Sequence, residues 1–409
     1  MKIAMFTDSY YPRINGVTIS VHSYASELTK LGHTVCIVCL EYSEEQQKRA
    51  FFDEKESDES SPFKIVRVPS FSAGIFSKED RLGRFNKWTL VKKTMKAFLP
   101  DVIHINSEWV IGYFGAMYAL HYKVPLVFTF HTMWEDYLAN YVSFLPNFSL
   151  RKIGRSLVKF YLKRADLIVA PTKRIAGVAH EYGIQKDIEI LPTGIPDSRD
   201  KYSIIRQGTV TLQLLKKCPQ LAGKRILLFV GRLVKEKNLL FLYDVLERVQ
   251  EKIPKTALLF VGGGPFLEEL REIASERNLS QSVAFTGYIT SEDLIYFYKL
   301  ADVFVFPSKT ETQGIVTAEA MLAGLPVVAI GELGTIDVMQ GDNGGYMVSD
   351  DAGDFSGKVL RLLTDKRLRK EKSRDAVSWG QKWKISSLAP RLVSCYEKAV
   401  SVKARRLDG

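Results

Sequence analysis

A chain of 409 residues is longer than one hydrophobic core usually fills, so two domains are the default reading. Hydrophobic residues at 46% and charged residues at 25% are ordinary for a folded soluble protein, and no apolar run approaches the roughly 20 residues that span a bilayer, which excludes an integral helical membrane protein. The net charge of +11 suits nucleic acid, an anionic membrane or phosphate-bearing ligands, and composition does not choose among the three.

The N-terminus, "MKIAMFTDSYYP", carries a short apolar patch, Ile3–Phe6, soon cut by Asp8. That is too short for a signal-peptide core and reads as a first strand, so a cytosolic protein is expected. A helical stretch at residues 17–31 follows, capped by Gly32, and then the strand "HTVCIVCL". Cys36 and Cys39 form a CxxC there, but the β-branched context points the two thiols to opposite faces, as buried structural cysteines. Four cysteines in this length make no disulfide framework. Residues 53–62 read as a solvated acidic loop. The strands "PFKIVRVPS", "DVIHIN", "PLVFTFH", "DLIVAPT" and "IEILPTG" continue, with helical runs between several of them: the rhythm of a doubly wound parallel sheet.

The rhythm restarts near Lys224. "RILLFVGR", "ALLFVGGG", "SVAFTGYI", "DVFVFPS" and "PVVAIG" are strands separated by helices, a second α/β domain, with a turn-rich hinge expected at 196–208. The tail "SWGQKWKISSLAPRLVSCYEKAV" is helical and amphipathic.

Open α/β sheets bind ligands at the carboxyl ends of their strands, where several loops stand out. In "INGVT", Gly16 at a helix start either lets backbone N–H groups approach an anion or is an ordinary turn glycine. In "VGRLVKEKN", Arg232 and Lys237 follow a strand and either bind a diphosphate or form a solvated basic loop. "VGGGPFLEEL" lacks the third glycine of a dinucleotide fingerprint and reads as turn glycines leading into a helix. In "ETQGIVTAEA", Glu311 precedes a helix that would carry Glu319 inward. The carboxylates can accept hydrogen bonds from sugar and ribose hydroxyls, and N–H groups at 312–315 can meet phosphate oxygens. The alternative is a surface acid plus a helix charge.

"GRLVKEKN", "ETQGIVTAEA" and "GLPVVA" together resemble the retaining glycosyltransferases of family 4, whose Glu-x7-Glu signature matches Glu311 and Glu319 in spacing. The resemblance runs nearly the length of the chain. It implies the GT-B fold: two Rossmann-like domains facing a cleft, at 1–198 and 199–378, with residues 379–409 crossing back to the first as a C-terminal helix. By that likeness Arg232 and Lys237 grip the diphosphate of a nucleotide-sugar and Glu319 takes the ribose. Glu311, with the backbone at Gln313, Gly314 and Ile315, holds the donor sugar, and Gly16 approaches the diphosphate. Enzymes of this fold generally need no catalytic metal, and the chain has no Asp-x-Asp triplet, so neither an essential metal nor a tightly bound cofactor is expected.

The first domain should hold the acceptor. His131, in "FTFHTMWEDY", either contacts the donor sugar near the anomeric carbon or is a hydrogen-bonded structural histidine. With "FTDSYYPRINGVTISV" and "INSEWVIG", this segment resembles the family members that act on diacylglycerol. The likeness implies acceptor roles for Glu108, Trp109, Trp134 and Asp136. Asn106 departs from it, since many relatives carry a second histidine there. Two basic amphipathic helices fit an anionic lipid surface: 84–98, with Phe85, Trp88, Val91 and Met95 near one face and Lys87, Lys92 and Lys93 elsewhere, and 150–164, with Ile153, Leu157 and Phe160 or Tyr161 against Arg151, Lys152, Arg155 and Lys159. The alternative for each is a surface helix whose apolar side is core.

The expected activity is a retaining, metal-independent transfer of a hexose, glucose first and galactose second, from a UDP-sugar to diacylglycerol. It would take place at the cytoplasmic face of the cell membrane. GDP-mannose or a soluble acceptor is the nearest alternative. A nucleic-acid binder, suggested by charge alone, lacks an aromatic-basic strand signature or a helix-turn-helix pattern. The sequence leaves the oligomeric state open.

Overall fold

The computed structural model describes residues 1–13, 15–43, 61–73, 81–131, 147–197, 218–289, 291–311, 313–332 and 334–408. The expected hinge and acidic loop lie, but for their ends, outside these residues. Two compact units emerge, Met1–Gly194 with Ile385–Gly409, and Ile195–Lys384.

The first unit runs β1 (Lys2–Phe6), α1 (Gly16–Lys30), β2 (Thr34–Leu40), β3 (Lys64–Val68), β4 (Ser70–Ser72), β5 (Arg81–Gly83), α2 (Trp88–Phe98), β6 (Val102–Ile105), α3 (Val110–His121), β7 (Leu126–Thr129), α4 (Asn147–Arg164), β8 (Leu167–Ala170), α5 (Lys173–Glu181) and β9 (Ile188–Ile190). Seven strands form one parallel sheet in the order β3-β2-β1-β6-β7-β8-β9. The central strands are apolar on both faces, as a parallel sheet covered by helices requires. In β2 the alternation is literal. Cys36, Val38 and Leu40 enter the core on one face, and Val35, Ile37 and Cys39 the core on the other, so the CxxC thiols part company as strand geometry dictates. Burial pushes the Cys36 thiol up to about 12, which makes it inert. The antiparallel pair β4–β5 has no counterpart in the sequence reading.

The second unit runs β10 (Arg225–Val230), α6 (Phe241–Gln250), β11 (Thr256–Val261), α7 (Leu267–Glu276), β12 (Val283–Phe285), α8 (Ser291–Leu300), β13 (Val303–Phe306), α9 (Ile315–Leu322), β14 (Val327–Ile330), α10 (Gly334–Met339), β15 (Gly345–Val348), α11 (Ala352–Thr364) and α12 (Lys366–Gly380). Its parallel sheet has the order β12-β11-β10-β13-β14-β15. Leu242, Val245, Leu246 and Val249 of α6 recur every three or four residues and are all buried, each contributing about 1.5–3 kcal/mol of apolar burial. After Lys384 the chain enters α13 (Ile385–Asp408), which packs in the first unit through Leu388, Leu392, Tyr396 and Ala399. No helix among the described residues is long and apolar enough to cross a membrane.

The two basic helices follow the core alternative in part. On α2, Val91 and Met95 are fully buried and Trp88 packs against the same core, so the expected lipid-facing side is mostly interior. On α4, the buried face is Leu150, Val158, Tyr161 and Leu162, whereas Ile153 is 54% exposed. Of the stripe expected to face lipid, Ile153 is thus exposed, Tyr161 lies in the core, and Leu157 and Phe160 pack partly against it, because two apolar stripes compete on that helix and periodicity does not rank them.

Candidate active site

The strand order of each sheet reverses at one place, and there the loops diverge to leave room for a ligand. In the second unit the reversal lies between β10 and β13, which are direct neighbours. The loop after β10 carries Arg232 and Lys237, and the loop after β13 carries Glu311. Topology therefore gathers these candidates.

Lys237 ends a short 3-10 turn, Lys235–Lys237, closed by Asn238 in the left-handed region. Its Nζ lies 2.9 Å from Glu311 Oε2, and the two side chains are 17% and 21% exposed. Burial by itself would raise the Glu311 carboxyl. The Lys237 charge, the hydrogen bond Lys237 donates and the N–H groups of Gly314 and Gln313 outweigh it and hold the carboxyl below its ordinary value. The Glu311 carbonyl accepts from the Gly334 amide at 2.9 Å, which anchors the loop to the start of α10. Gly314 then adopts φ 67° as the N-cap of α9, a conformation that favours glycine. An added Cβ would also meet Val338 at 3.0 Å. Ile315 opens α9, so its N–H is one of the donors a helix cannot satisfy internally. Glu319, one turn on, is 6% exposed and accepts from Tyr298 Oη at 3.0 Å. Arg232 stands exposed in the same β10 loop.

The glycine triplet has a purely structural cause. A Cβ at Gly262 would fall 2.0 Å from the Gly231 carbonyl oxygen, and one at Gly264 2.2 Å from that of Leu233. The β10 and β11 loops touch backbone to backbone, and Leu233 N donates to Gly263 O at 3.0 Å.

In the first unit the reversal lies between β1 and β6. Asp8, just past β1, is buried, and burial pushes its carboxyl above the ordinary value. It exchanges hydrogen bonds with Ser107, accepting from Oγ and donating its own N–H to that oxygen, both at 2.6 Å. It also accepts from Ile111 N at 2.9 Å and Gly112 N at 3.3 Å, capping α3, whose own N-cap residue, Trp109, makes no side-chain cap. That fixes the turn bearing Glu108, which is 2% exposed and whose carbonyl accepts from Tyr161 Oη at 2.9 Å.

His131 follows β7, and its Nε2 lies 3.3 Å from Asn106 Oδ1. An amide oxygen only accepts, so Nε2 carries the proton and Nδ1 is left as an acceptor. Burial pushes the His131 pKa down to about 4, so the ring is neutral near pH 7. Asn106, the departure from the family pattern, is thus the partner that sets the His131 tautomer. Gly16 opens α1 and is exposed, and a Cβ there would meet nothing within 4 Å, so the protein's own packing gives no reason for glycine. Trp134 and Asp136 lie outside the described residues. Lys93, Arg151, Lys152 and Arg155 are exposed, and Lys87, Lys92 and Lys159 half-buried. Arg155 also sits over the Tyr182 ring at 4.8 Å.

Residues 14–199 match the profile of Glycosyltransferase Family 4, and residues 214–379 that of Glycosyl transferases group 1. The chain belongs to glycosyltransferase family 4. This family 4 enzyme is a hexosyltransferase. It is 29% identical over 332 residues to the alpha-monoglucosyldiacylglycerol synthase of Streptococcus pneumoniae, covering 81% of this chain and 71% of the relative. The alpha-monoglucosyldiacylglycerol synthase of Acholeplasma laidlawii is 29% identical over 338 residues, 80% of each chain. A GDP-mannose-dependent alpha-mannosyltransferase of Corynebacterium glutamicum is 27% identical, covering 84% of this chain and 76% of that one. In fold the chain resembles Anabaena HepE, crystallised with UDP, at a TM-score of 0.75 and 16% identity, with 97% of this chain and 100% of that one covered. The two doubly wound units are those of a GT-B glycosyltransferase.

Sequence reasoning on this family 4 enzyme missed Tyr298, Asp8 and Ser107. Tyr298 lies on a helix whose apolar pattern hides the hydroxyl that meets Glu319, and the Asp8–Ser107 bond joins residues 99 apart. Only Asp8 left a trace, as the charge that ends the first apolar run. Among the described residues no cluster of His, Cys, Asp and Glu could hold a metal ion.

Proposed function

We propose that the protein is a retaining glucosyltransferase that moves glucose from UDP-glucose to diacylglycerol at an anionic membrane surface, giving an α-monoglucosyl diacylglycerol. The observation that carries the reading is the Lys237–Glu311 pair at the sheet reversal, beside the N-terminus of α9. A half-buried ammonium and unsatisfied helix N–H groups suit a diphosphate, and the adjoining carboxylates suit hydroxyls. The acceptor and sugar are suggested by the two relatives named for monoglucosyldiacylglycerol synthesis.

In this reading Lys237, Arg232 and the N–H group of Ile315 at the start of α9 stabilise the charge that develops on the departing diphosphate. The bond from the anomeric carbon to the phosphate oxygen breaks. The diacylglycerol hydroxyl forms its bond on the same face, and its proton passes to the leaving phosphate. Glu319 takes the ribose hydroxyls and Glu311 the sugar. His131, in the first unit, presents a neutral acceptor at Nδ1 rather than a cation. The protein's groups do this work without a required metal.

A string of rings supports peripheral attachment. Phe85, 65% exposed, contacts Tyr113 at 6.3 Å, and Tyr113 contacts Phe160 of α4 at 6.1 Å. α2 and α4 also carry several lysines and arginines, each contributing about 1 kcal/mol near an anionic surface. The test is a donor screen: detergent-dispersed diacylglycerol with UDP-glucose, UDP-galactose and GDP-mannose, the product read by mass and anomeric NMR. An α-glucosyl lipid from UDP-glucose is expected. Transfer from GDP-mannose alone would move the enzyme to the mannosyltransferase side of its family.

A further inference from the structure

Behind the Asn106–His131 pair lies a second polar rung. His104 of β6 is 3% exposed, and both its ring nitrogens are engaged. Nδ1 lies 2.9 Å from Tyr396 Oη of α13, and Nε2 lies 2.7 Å from Thr129 Oγ1 of β7. Tyr396 is fully buried and meets the imidazole edge to face, with centroids 5.6 Å apart. Burial, reinforced by His131, pushes the His104 pKa down to about 3, so the ring is neutral. A neutral imidazole has one N–H and one lone pair, so one hydroxyl must donate to it and the other accept.

The spacing of the rungs is informative. His104 lies in β6 with Asn106 two residues on, just past its end, and Thr129 ends β7 with His131 two residues on; the ladder bonds from Asn106 N to Phe6 O and from Phe130 N to Val169 O extend the strand geometry past both ends. The strand period of two places both rungs on one face. Asn106 Nδ2 also approaches the His104 carbonyl at 3.5 Å, so the rungs touch. The neighbourhood is otherwise apolar, with Val102, Val127, Val169, Leu388 and Leu392 in the same core. Three polar side chains buried there carry a desolvation cost that their hydrogen bonds little more than offset. Apolar residues of similar volume would serve folding as well. What the triad adds is a fixed orientation.

We propose that His104 is a positioning residue for hexosyl transfer. With Tyr396 it fixes Thr129, and so sets the end of β7 and the angle of the His131 ring one strand repeat further on, tying that ring to the C-terminal helix. The inference rests on the reading of His131 as a site residue.

The experiment uses the full-length protein and two independent readouts. Imidazole nitrogen NMR reports the His131 tautomer without any substrate, and six histidines, with His131→Asn for assignment, keep the spectrum tractable. Steady-state transfer with UDP-glucose reports kcat and KM. In His104→Phe and Tyr396→Phe, His131 is expected to leave its single Nε2–H tautomer, with kcat down about tenfold and donor KM changed less than about twofold. His104→Gln, which keeps a donor and an acceptor, should recover most of both signals. Tyr396→Phe removes one hydroxyl and serves if His104→Phe does not fold. An unchanged tautomer and kcat in these variants, with only a lower Tm, would overturn the proposal. A wild type silent with every donor would speak against the functional reading instead, and the NMR would still decide this one.

Discussion

Lys237 and Glu311, 74 residues apart in sequence, meet at 2.9 Å where β10 and β13 run side by side. In the proposed reaction both have other work, the ammonium on a diphosphate and the carboxylate on a sugar. Their contact holds each side chain in place and keeps the other's charge compensated until a donor shares it. Removing Lys237 should therefore do two things. Turnover in Lys237→Ala should fall roughly a hundredfold to a thousandfold, the usual cost of losing one group that stabilises developing charge. Stability should fall only modestly, by about 1–3 kcal/mol, because both partners still reach solvent. Circular dichroism and urea unfolding separate the two effects, and wild-type turnover in the folded variant would remove Lys237 from the site.

Glu311 also predicts an acid limb in stability. Its carboxyl is held below the ordinary value of 4.5, so the unfolded chain takes up this proton first as pH falls. The stabilisation is complete above about pH 4.5 and is lost as pH drops through the folded value. Urea midpoints measured from neutral pH downward should show wild type losing more stability in that window than Glu311→Gln. Parallel curves would mean the carboxylate is not held by its neighbours.

His131 makes the same kind of prediction at higher pH. Its folded pKa of about 4 lies below the ordinary 6.5, so the neutral ring's contribution is present above about pH 6.5 and lost as pH falls toward 4. His131→Asn should flatten that segment. A ring that works as a neutral acceptor also predicts kcat independent of its titration near neutrality. His131→Ala should lower kcat about tenfold to a hundredfold at every pH between about 6.5 and 8. A wild-type kcat that fell as pH rose through about 6.5 would mean the imidazolium is the working form.

Much of this was legible in the sequence, for identifiable reasons. Apolar runs such as "RILLFV" and "TALLFV" are central strands in any compact fold, and their regular alternation with helices fixed both sheets. Lys237, Glu311 and Glu319 could be placed together because loops at the carboxyl ends of neighbouring strands must converge. Three things were not legible. Which of the two apolar stripes of α4 faces inward was hidden, because Ile153 and Phe160 are as apolar as the residues that do. The Asp8 cap of α3 joins residues with no local pattern between them. Tyr396 meets His104 across 292 residues, through a helix whose docking site periodicity does not reveal.

Glu319 and Tyr298 separate binding from chemistry. The buried Glu319 carboxylate is aimed by the Tyr298 hydroxyl at 3.0 Å. If it takes the ribose, Glu319→Ala should greatly reduce turnover at fixed donor while the fold persists, chiefly through a higher donor KM. Tyr298→Phe should raise KM only a few-fold, about the worth of one hydrogen bond of 0.5–1.5 kcal/mol. Calorimetric titration with UDP checks both, and unchanged UDP affinity in Glu319→Ala would move that residue off the nucleotide.

The ring string Phe85–Tyr113–Phe160 decides between the two readings of the basic helices. Because Val91 and Met95 are committed to the core, the part of α2 left for lipid is its N-terminal end, with Phe85 just before it. On α4 it is the stripe of Ile153 and Phe160. Two forces then act on docking, and salt separates them. Charge attraction to anionic lipid fades as the Debye length shrinks from about 10 Å at 0.1 M to about 3 Å at 1 M salt, whereas insertion of rings does not. Co-sedimentation with phosphatidylglycerol vesicles should be strong at low salt and weaker but measurable at high salt. Phe85→Ser with Ile153→Ser should abolish the high-salt fraction and leave most of the low-salt binding. Lys93→Gln with Lys152→Gln should do the reverse. No binding to these vesicles at any salt would assign the exposed rings to something other than a membrane.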